Sequence, residues 1–496
     1  MKRRDFCKAA LVGGTAATLP LGRMRAFAGE TAVPSGSDIP AVKLSGEPTV
    51  IPAAAVKAFG ADLHGPLLTA SDKDYDQVRR IWNKMIDRRP ALIARCSGAA
   101  DVARAVAFAR ERELLVAVRG GGHSFPGYSV CNGGLMIDLS TMHSVRVDPV
   151  ARTARVAGGA WIGDLDWEAQ QYGLATPMGE ISNTGVAGLT LGGGYGWLAR
   201  RYGLACDNVI SVDLVTADAK FHRVSAQENP DLFWGIRGGG GNFGVVTSFE
   251  YRLHPVGPKV LAGNLIYAPE QLRDVLDYYG EFAARAPREC VVELGWGGAE
   301  GEDGYPTIAV CYVGDPGAGE KVLQPLRTAV KPRKDTLQMQ DYVKIQQQYD
   351  GPPLSTRNAY LKGGYVAGFT PALIEALTKE FHADALVSVG FDHCGGAIAE
   401  VAPNATALPH RKELFQILVS AGWPDAADND RNRARIHAEW DKVKRFTSGF
   451  YVNLNDADQK AVDDNYGPNR PRLAALKKKY DPGNLFRLNA NVRPAV

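Results

Sequence analysis

The stretch Leu114-Leu115-Val116-Ala117-Val118-Arg119-Gly120-Gly121-Gly122-His123-Ser124 decides the fold class predicted for this chain. Its first five residues form an apolar run, which predicts a buried strand. The three glycines let backbone N–H groups approach an anion without hindrance from Cβ atoms, as in phosphate-binding loops. His123 then holds a reactive nitrogen beside whatever carries the phosphates. A dinucleotide with an electrophilic ring would lie within its reach, which indicates a covalently attached flavin.

Two further glycine-rich stretches follow, TGVAGLTLGGGYGW at 184–197 and RGGGGNFGVVT at 237–247. Turns alone rarely need three such clusters, so we expect all three to converge on one extended ligand. Residues 239–244 formally satisfy the Rossmann fingerprint G-x-G-x-x-G. That fingerprint must open a helix, whereas residues 245–251 continue as a strand. The Rossmann interpretation is therefore rejected.

These segments together resemble the berberine bridge enzyme-like branch of the FAD-linked oxidases, within the vanillyl-alcohol oxidase superfamily. The matching segments are RGGGHS, TGVAGLTLGGGYGWL, DLFWGIRGGGGNFGVVT and the tail YDPGNLFRLN at 480–489, in the right order from about residue 89 onward. The resemblance implies an α+β fold, with a two-lobed PCMH-type FAD-binding domain plus an α/β substrate domain that has an antiparallel sheet. It also implies an enzyme, an FAD-linked oxidoreductase.

The order of these motifs predicts the domain organisation. We expect a signal peptide at 1–28, an arm or linker at 29–86, the FAD-binding domain at 87–257, the substrate domain at 258–450, and a C-terminal segment at 451–496 that completes the FAD lobe. Within the FAD-binding domain, a strand at 91–96, an amphipathic helix at 100–113 and a strand at 114–118 predict a βαβ unit. A helix is predicted over 371–381 in the substrate domain.

The N-terminus resembles a twin-arginine export signal. Arg3 and Arg4 precede a mildly apolar stretch at 9–21, and Ala26-Phe27-Ala28 offers small residues to a signal peptidase. The apolar stretch is too short, and too rich in glycine and threonine, to span a bilayer. We therefore expect a periplasmic or secreted protein, beginning near Gly29, without stable membrane association. A chance basic N-terminus is the alternative.

Composition excludes a nucleic-acid partner. The chain has 496 residues, 45% hydrophobic content and a net charge of only +3, so it can bury a large core without a strongly basic surface. The one basic cluster, Lys477-Lys478-Lys479, is interpreted as a solvated helix end. Six cysteines remain after the signal, none with metal-ligand spacing, so no metal is expected. Disulfides are permitted, but buried free thiols are the expected state.

The resemblance assigns the cofactor contacts. It implies that His123 bonds to the flavin 8α-methyl, and Ile181 stands where many relatives carry a second attachment cysteine, so one covalent bond to FAD is expected. Thr184 occupies the position that controls O₂ access in relatives, and its compact side chain predicts peroxide production. The expected cofactor-binding residues are Arg119, Gly120, Gly121, Gly122, His123, Ser124, Gly127, Ser129, Thr184, Gly185, Gly188, Gly193, Gly194, Val209, Asn242, Phe243, Gly244, Val246, Asn453 and Asn489.

Catalysis needs a base, because removing a proton from O–H or N–H eases hydride loss from the adjacent C–H bond. Relatives often carry Y-x-N-Y with the second tyrosine as base, whereas this chain has Tyr451-Val452-Asn453-Leu454. Leu454 has no proton to exchange, so Tyr451 is one candidate, or simply a packing residue. Asp392 and His393 are the other candidates, although a buried hydrogen-bonded pair would look the same.

The predicted activity is transfer of hydride from a CH–OH or CH–NH group of a small organic substrate to FAD, with O₂ reduced to hydrogen peroxide. Two alternatives stay open. One is an FAD-dependent dehydrogenase that passes electrons to a quinone or another carrier, and the other is a non-catalytic flavin- or ligand-binding protein.

Overall fold

The computed structural model describes residues 36–352 and 354–496. The twin-arginine signal, its cleavage site and the first part of the predicted arm lie outside the described residues. Within the described ranges, helices are combined with mostly antiparallel sheets, which confirms the predicted α+β class. We call residues 36–257 together with 451–496 the N-terminal lobe, and residues 258–450 the central lobe.

The first part of the N-terminal lobe contains a two-stranded and a four-stranded sheet. Its elements are β1 (Ile39–Val42), β2 (Pro48–Ile51), α1 (Ala53–Asp62), β3 (Leu67–Leu68), α2 (Tyr75–Val78), β4 (Leu92–Arg95), α3 (Ala99–Glu111), β5 (Val116–Arg119) and β6 (Leu135–Asp138). Strands β4 and β5 both pair in parallel with β6, and β3 adds an antiparallel edge. Helix α3 buries Val102, Val106 and Phe108, the face that its spacing predicts. The predicted βαβ unit is confirmed, and β5 leads directly into the first glycine loop.

A five-stranded antiparallel sheet completes this half of the chain. The elements are β7 (Val145–Asp148), β8 (Thr153–Ala157), α4 (Ile162–Gln170), β9 (Leu174–Ala175), α5 (Val186–Gly192), α6 (Ala199–Tyr202), β10 (Val209–Val215), β11 (Phe221–Ser225), α7 (Pro230–Ile236), β12 (Val245–Arg252) and β13 (His254–Pro255). The sheet order is β11–β10–β12–β8–β7. Strand β12 starts immediately after Gly244, the last glycine of the third stretch, which confirms the rejection of a Rossmann fingerprint.

The central lobe is built on one large antiparallel sheet. Its elements are β14 (Lys259–Ile266), α8 (Leu272–Arg285), β15 (Cys290–Gly297), β16 (Thr307–Tyr312), α9 (Pro316–Thr328), β17 (Lys334–Asp335), β18 (Gln338–Asp341), α10 (Tyr342–Gln346), β19 (Asn358–Val366), α11 (Pro371–Glu375), β20 (Val387–His393), α12 (Ala397–Glu400), β21 (Phe415–Trp423) and α13 (Asn429–Val443). The sheet order is β17–β14–β16–β15–β20–β21–β19, and β18 also pairs with β14. A π-helical turn at Ala376–Glu380 extends α11, so the helix predicted at 371–381 is present.

One face of the central sheet packs against helices, and the other faces the N-terminal lobe. Phe391, Phe415 and Ile417 belong to the core that includes residues of α8, α11 and α13. Because successive side chains of a strand point to opposite faces, the residues between them point the other way. Asp392 and Gln416 are such residues, and they line a cavity between the lobes.

The C-terminal segment packs into the core of the N-terminal lobe. Helices α14 (Gln459–Tyr466) and α15 (Arg470–Tyr480) contribute Val462, Leu473 and Leu476 to that core. Here the structure corrects one expectation, because Lys477 is fully buried. Its Nζ donates to Asp481 Oδ2 at 2.7 Å and to two backbone carbonyls, while Lys478 and Lys479 are exposed. Lys477 therefore joins the C-terminal segment to the third glycine stretch through the Asn242 carbonyl.

The six cysteines among the described residues are all buried and free, as expected. Burial raises the pKa of the Cys131 and Cys206 thiols to about 12, so these groups stay protonated. No helix in the described ranges is long and apolar enough to cross a membrane.

Candidate functional site

The three glycine stretches converge on one cavity between the lobes, with a volume of about 410 Å³. This volume is within the range of small-molecule and cofactor sites. The N-terminal lobe supplies residues 120–125, 179–191 and 240–246 to its wall. The central lobe supplies residues of β19, β20 and β21, and the C-terminal segment supplies residues 451–454 and 486–490.

Backbone crowding explains why the first two loops need glycine. A Cβ on Gly121 would lie 2.5 Å from Gly185 N and 2.9 Å from Trp161 Cδ1. At Gly244, φ is +156° and a Cβ would overlap the Val215 carbonyl. Gly121 and Gly185 thus let the first two loops meet without side chains between them. Gly244 lets the start of β12 approach the Val215 carbonyl at the end of β10.

His123 lies in the wall with an unpaired nitrogen. Its ring stacks on Trp82 at 4.7 Å between centroids and meets Phe125 edge-on at 5.7 Å. Its Nε2 is buried and has no hydrogen-bond partner among the described residues. Burial lowers the pKa of His123 to about 4, so the imidazole is neutral at physiological pH. A neutral ring with an available lone pair fits the role of an attachment residue.

Three other buried polar atoms of the wall have no hydrogen-bond partner among the described residues: Ser129 Oγ, Asn489 Oδ1 and Gln416 Oε1. The amide nitrogen of Asn489 is paired, because Nδ2 donates to the Phe486 carbonyl at 3.0 Å. Buried polar groups are normally paired, so these atoms indicate a ligand with polar groups of its own. Together with the glycine loops and His123, the residues present fit FAD.

The structure brings together thirteen of the residues expected to bind the cofactor, because all of them line the cavity. They are Gly120, Gly121, Gly122, His123, Ser124, Ser129, Thr184, Gly185, Gly188, Gly244, Val246, Asn453 and Asn489.

The other seven do not line the cavity, and their direct contact with the cofactor stays a prediction. They are Arg119, Gly127, Gly193, Gly194, Val209, Asn242 and Phe243. Two of them hydrogen-bond to backbone near the glycine loops: the Arg119 guanidinium donates to the Val78 carbonyl, and Asn242 Nδ2 donates to the Gly239 and Ala490 carbonyls. Val209 and Phe243 pack in the core.

Tyr451 lines the cavity, but its hydroxyl is fully engaged. It accepts hydrogen bonds from Gly194 N at 3.0 Å and Asn453 Nδ2 at 2.8 Å, and it donates to the Leu189 carbonyl at 3.3 Å. Burial raises the pKa of Tyr451 well above its ordinary value. These contacts fix the turn after α5, and they leave the hydroxyl poorly suited to accept a proton from a substrate.

His393 is on the opposite face of β20 from the cavity. Its Nε2 lies 3.1 Å from the Ala283 carbonyl, its Nδ1 accepts from Val292 N at 3.3 Å, and its ring stacks on Phe415. The expectation that Asp392 and His393 work together is therefore corrected, because adjacent strand residues point to opposite faces. His393 is a buried residue that hydrogen-bonds to the backbone, which is the alternative interpretation given for it from the sequence.

Asp392 belongs to a cluster of three carboxyl groups with Glu180 and Glu293. One oxygen of each lies within 4.8 Å of one oxygen of each of the others. Glu180 and Glu293 share a hydrogen bond, and Gln416 Nε2 donates to Asp392 Oδ2 at 2.8 Å. Burial, and then repulsion between the groups, raises the pKa of Asp392 and Glu293 well above the usual range, while burial raises that of Glu180.

Sequence reasoning missed both glutamates. Glu293 interrupts the apolar strand residues 291–294, which is the same signal that singled out Asp392. Glu180 carries no such signal, because it lies in a loop directly before Ile181. Eight other cavity-lining residues are apolar or aromatic and come from distant segments: Phe125, Tyr128, Ile181, Tyr195, Tyr349, Leu361, Leu418 and Leu454.

Known proteins resemble this chain over most of its length. A family model for an FAD binding domain matches residues 90–225, and one described as berberine and berberine like matches residues 450–493. (R)-6-hydroxynicotine oxidase of Paenarthrobacter nicotinovorans is 32% identical over 462 residues, which cover 87% of this chain and 97% of that protein. Chitooligosaccharide oxidase of Gibberella zeae is 30% identical over 450 residues, covering 83% and 89%. The solved structure of 6-hydroxy-D-nicotine oxidase from Arthrobacter nicotinovorans has a TM-score of 0.78 and 29% identity, covering 87% of this chain and 98% of that one.

Proposed function

Because the chain belongs to the berberine bridge enzyme-like family of FAD-linked oxidoreductases, we propose that it oxidises a CH–OH or CH–NH group of a small organic substrate with an FAD covalently held at His123. FAD would supply the hydride acceptor in such a reaction, and the two-electron-reduced flavin would then be reoxidised by O₂, which becomes hydrogen peroxide. The observation that carries the proposal is a single cavity with the unpaired His123 Nε2 and the Asp392 carboxyl in its wall.

Attachment at His123 is supported by the low pKa and the unpaired Nε2 of its buried ring. A single bond is supported by the wall itself, since none of the described cavity-lining residues is a cysteine and Ile181 lies in the wall. The stack on Trp82 holds the imidazole plane, so the ring needs little reorganisation to react.

Asp392 is our choice for the base. It lines the cavity, and a carboxyl whose pKa is raised by burial is better matched to proton transfer near neutral pH than an ordinary aspartate. The hydrogen bond from Gln416 fixes one of its oxygens and leaves the other for the substrate. Tyr451 acts as a positioning residue, because its hydroxyl holds Gly194 and Asn453.

We also propose how O₂ reaches the site, where the protein is located and where its domains begin and end. Thr184 lines the cavity and its side chain is compact, which supports the approach of O₂. Arg3 and Arg4 support export to the periplasm or beyond. We retain 1–28 as signal, 29–86 as arm, 87–257 as FAD-binding domain, 258–450 as substrate domain and 451–496 as the closing segment.

A panel of alcohols, amines and oligosaccharides mixed anaerobically with the holoenzyme tests the proposal. A true substrate bleaches the flavin, and readmitted O₂ restores the colour with one hydrogen peroxide per flavin. Bleaching without peroxide would favour the carrier-linked dehydrogenase. Absence of bleaching by every compound would contradict substrate oxidation at this site.

A further inference from the structure

Glu293 lies beside Asp392 on the same face of the central sheet, but it is outside the cavity. Strands β15 and β20 are antiparallel neighbours, and Leu294 is opposite Phe391 in the helix-covered core. Glu293 and Asp392 are the next residues of the two strands, so their side chains share the other face. Asp392 lines the cavity, whereas Glu293 is not part of its wall. Any effect of Glu293 on a molecule in the cavity must therefore pass through another side chain.

Glu180 is the side chain that connects Glu293 to the cavity. It lines the cavity wall, and its carboxyl group shares a hydrogen bond with the carboxyl group of Glu293. Two ionised carboxylates have only acceptors, so this hydrogen bond exists only while one of the two groups holds a proton. The hydrogen-bonded pair therefore carries at most one negative charge.

The surroundings of the pair decide which of the two groups keeps the proton. Glu293 is opposite Ala309 on β16 and two residues from Val291, and both of these neighbours belong to an apolar core cluster. A carboxylate there loses its hydration without compensation. Burial, and then the charge of Glu180, raises the pKa of Glu293 well above its usual range. Burial also raises the pKa of Glu180, but the hydrogen bond from Glu293 opposes that rise. Glu293 is thus the donor, and Glu180 is the group that ionises first.

The other ionisable groups near the three carboxyl groups do not alter this order. Among the described residues, no lysine, arginine or histidine forms an ion pair with Glu180, Glu293 or Asp392. Gln416, which donates to Asp392, has no charge at any pH. Burial raises the pKa of the remaining groups well above their ordinary values, so they are neutral near pH 7: Tyr279, Cys311, Cys394 and Tyr451.

We propose that Glu293 is a positioning residue for the base, which keeps its own proton, donates a hydrogen bond to the Glu180 carboxylate and so maintains a negative charge beside Asp392. The oxygens of the three groups lie within 4.8 Å of one another, and a like charge this close disfavours a further ionisation. Asp392 therefore holds its proton to higher pH and, once ionised, accepts a substrate proton more readily. This inference rests on the proposed oxidation at the same site and assigns a role to a residue outside the cavity.

Two substitutions of Glu293 separate this role from simple packing. Glu293→Gln keeps an N–H donor for Glu180 that cannot ionise, so it reproduces the protonated form. Glu293→Leu removes the donor and leaves the Glu180 carboxyl group buried without this partner, which favours its neutral form. Only the leucine variant should therefore lose the negative charge beside Asp392.

A pH titration of the flavin absorption of the holoenzyme tests the proposal without any substrate. Asp392 lines the cavity proposed to hold the flavin, so its ionisation should change the flavin spectrum. We expect a wild-type transition that Asp392→Asn removes. Glu293→Leu should move its midpoint to lower pH by about one unit or more, whereas Glu293→Gln should leave it at the wild-type value. The exposed Glu281→Leu is the matched control and should also leave it there.

Infrared difference spectra of the folded holoenzyme detect the proton on Glu293 directly. At a pH above the midpoint of the flavin transition, wild type should keep the carbonyl band of a protonated carboxyl group, and Glu293→Gln should lack that band. This comparison decides the matter even if Glu293→Leu does not fold.

The proposal would be overturned by absence of the infrared band, by an unchanged midpoint in Glu293→Leu, by equal shifts in the leucine and glutamine variants, or by a transition that survives Asp392→Asn. The expected band and midpoints, without anaerobic bleaching by any compound of the panel, would leave the role of Glu293 standing and contradict the proposed oxidation.

Discussion

Replacing Gly121 by alanine tests whether contact between the first two glycine loops positions the cofactor. The added Cβ would lie 2.5 Å from Gly185 N and 2.9 Å from Trp161 Cδ1, whereas carbon contacts are ordinarily about 3.5–4.0 Å. The loops must therefore part by about 1 Å, and overpacking of this kind costs about 1–3 kcal/mol of unfolding free energy. His123 follows two residues later and Thr184 precedes Gly185, so both sides of the cofactor site shift.

The expected result for Gly121→Ala is loss of FAD incorporation, with the rate of flavin reduction in the remaining holoenzyme lowered about 100-fold, the effect of a 1 Å misplacement. FAD content per chain, urea denaturation and anaerobic stopped-flow measure these effects. Gly98→Ala is the control, because Gly98 has extended backbone and no atom within 4 Å of an added Cβ. Wild-type FAD content and rate in Gly121→Ala would refute the reasoning.

Three further predictions concern the base, the oxygen path and the C-terminal segment. Asp392→Asn should slow anaerobic flavin reduction by about 10²- to 10⁴-fold. In the wild type the reduction rate should rise with pH as the Asp392 carboxyl, whose pKa is raised, ionises, and the variant should lose this rise. An unchanged pH profile in the variant would exclude Asp392 as the base. Thr184→Leu should slow reoxidation by O₂ while sparing anaerobic reduction, and an unchanged reoxidation rate would remove Thr184 from the oxygen path. Lys477→Met leaves the buried Asp481 without a countercharge, so urea denaturation should show that the free energy of unfolding falls by about 3–5 kcal/mol. The exposed Lys478→Met should lower it by less than about 0.5 kcal/mol, and equal losses would contradict the account of Lys477.

The sequence predicted those features that depend on neighbouring residues. A strand that runs into three glycines, or a glycine stretch followed by β-branched residues, is a local pattern, and the structure has β5, the first loop and β12 where these patterns occur. Lys477 was also predictable in principle, because it shares a helix face with Leu473 and Tyr480 at spacings of four and three residues. The three consecutive lysines obscured that spacing.

Two features of the candidate site could not be predicted from the sequence, because they depend on tertiary structure. Both faces of β20 are buried, one against helices and one against the cavity, so alternation alone does not decide whether Asp392 or His393 faces the site. The carboxyl cluster joins a loop of the N-terminal lobe to two strands of the central lobe. Only the packing of the lobes brings Glu180, Glu293 and Asp392 together.

The central claim is that the cavity holds FAD bonded to His123, and intact-mass measurement of the denatured protein tests it most directly. Wild-type protein, unfolded and acid-precipitated, should retain the mass of one FAD, and His123→Ala should lose all of it while the folded variant still binds FAD non-covalently. Release of FAD from denatured wild type, or retention of a covalent FAD by His123→Ala, would contradict the account.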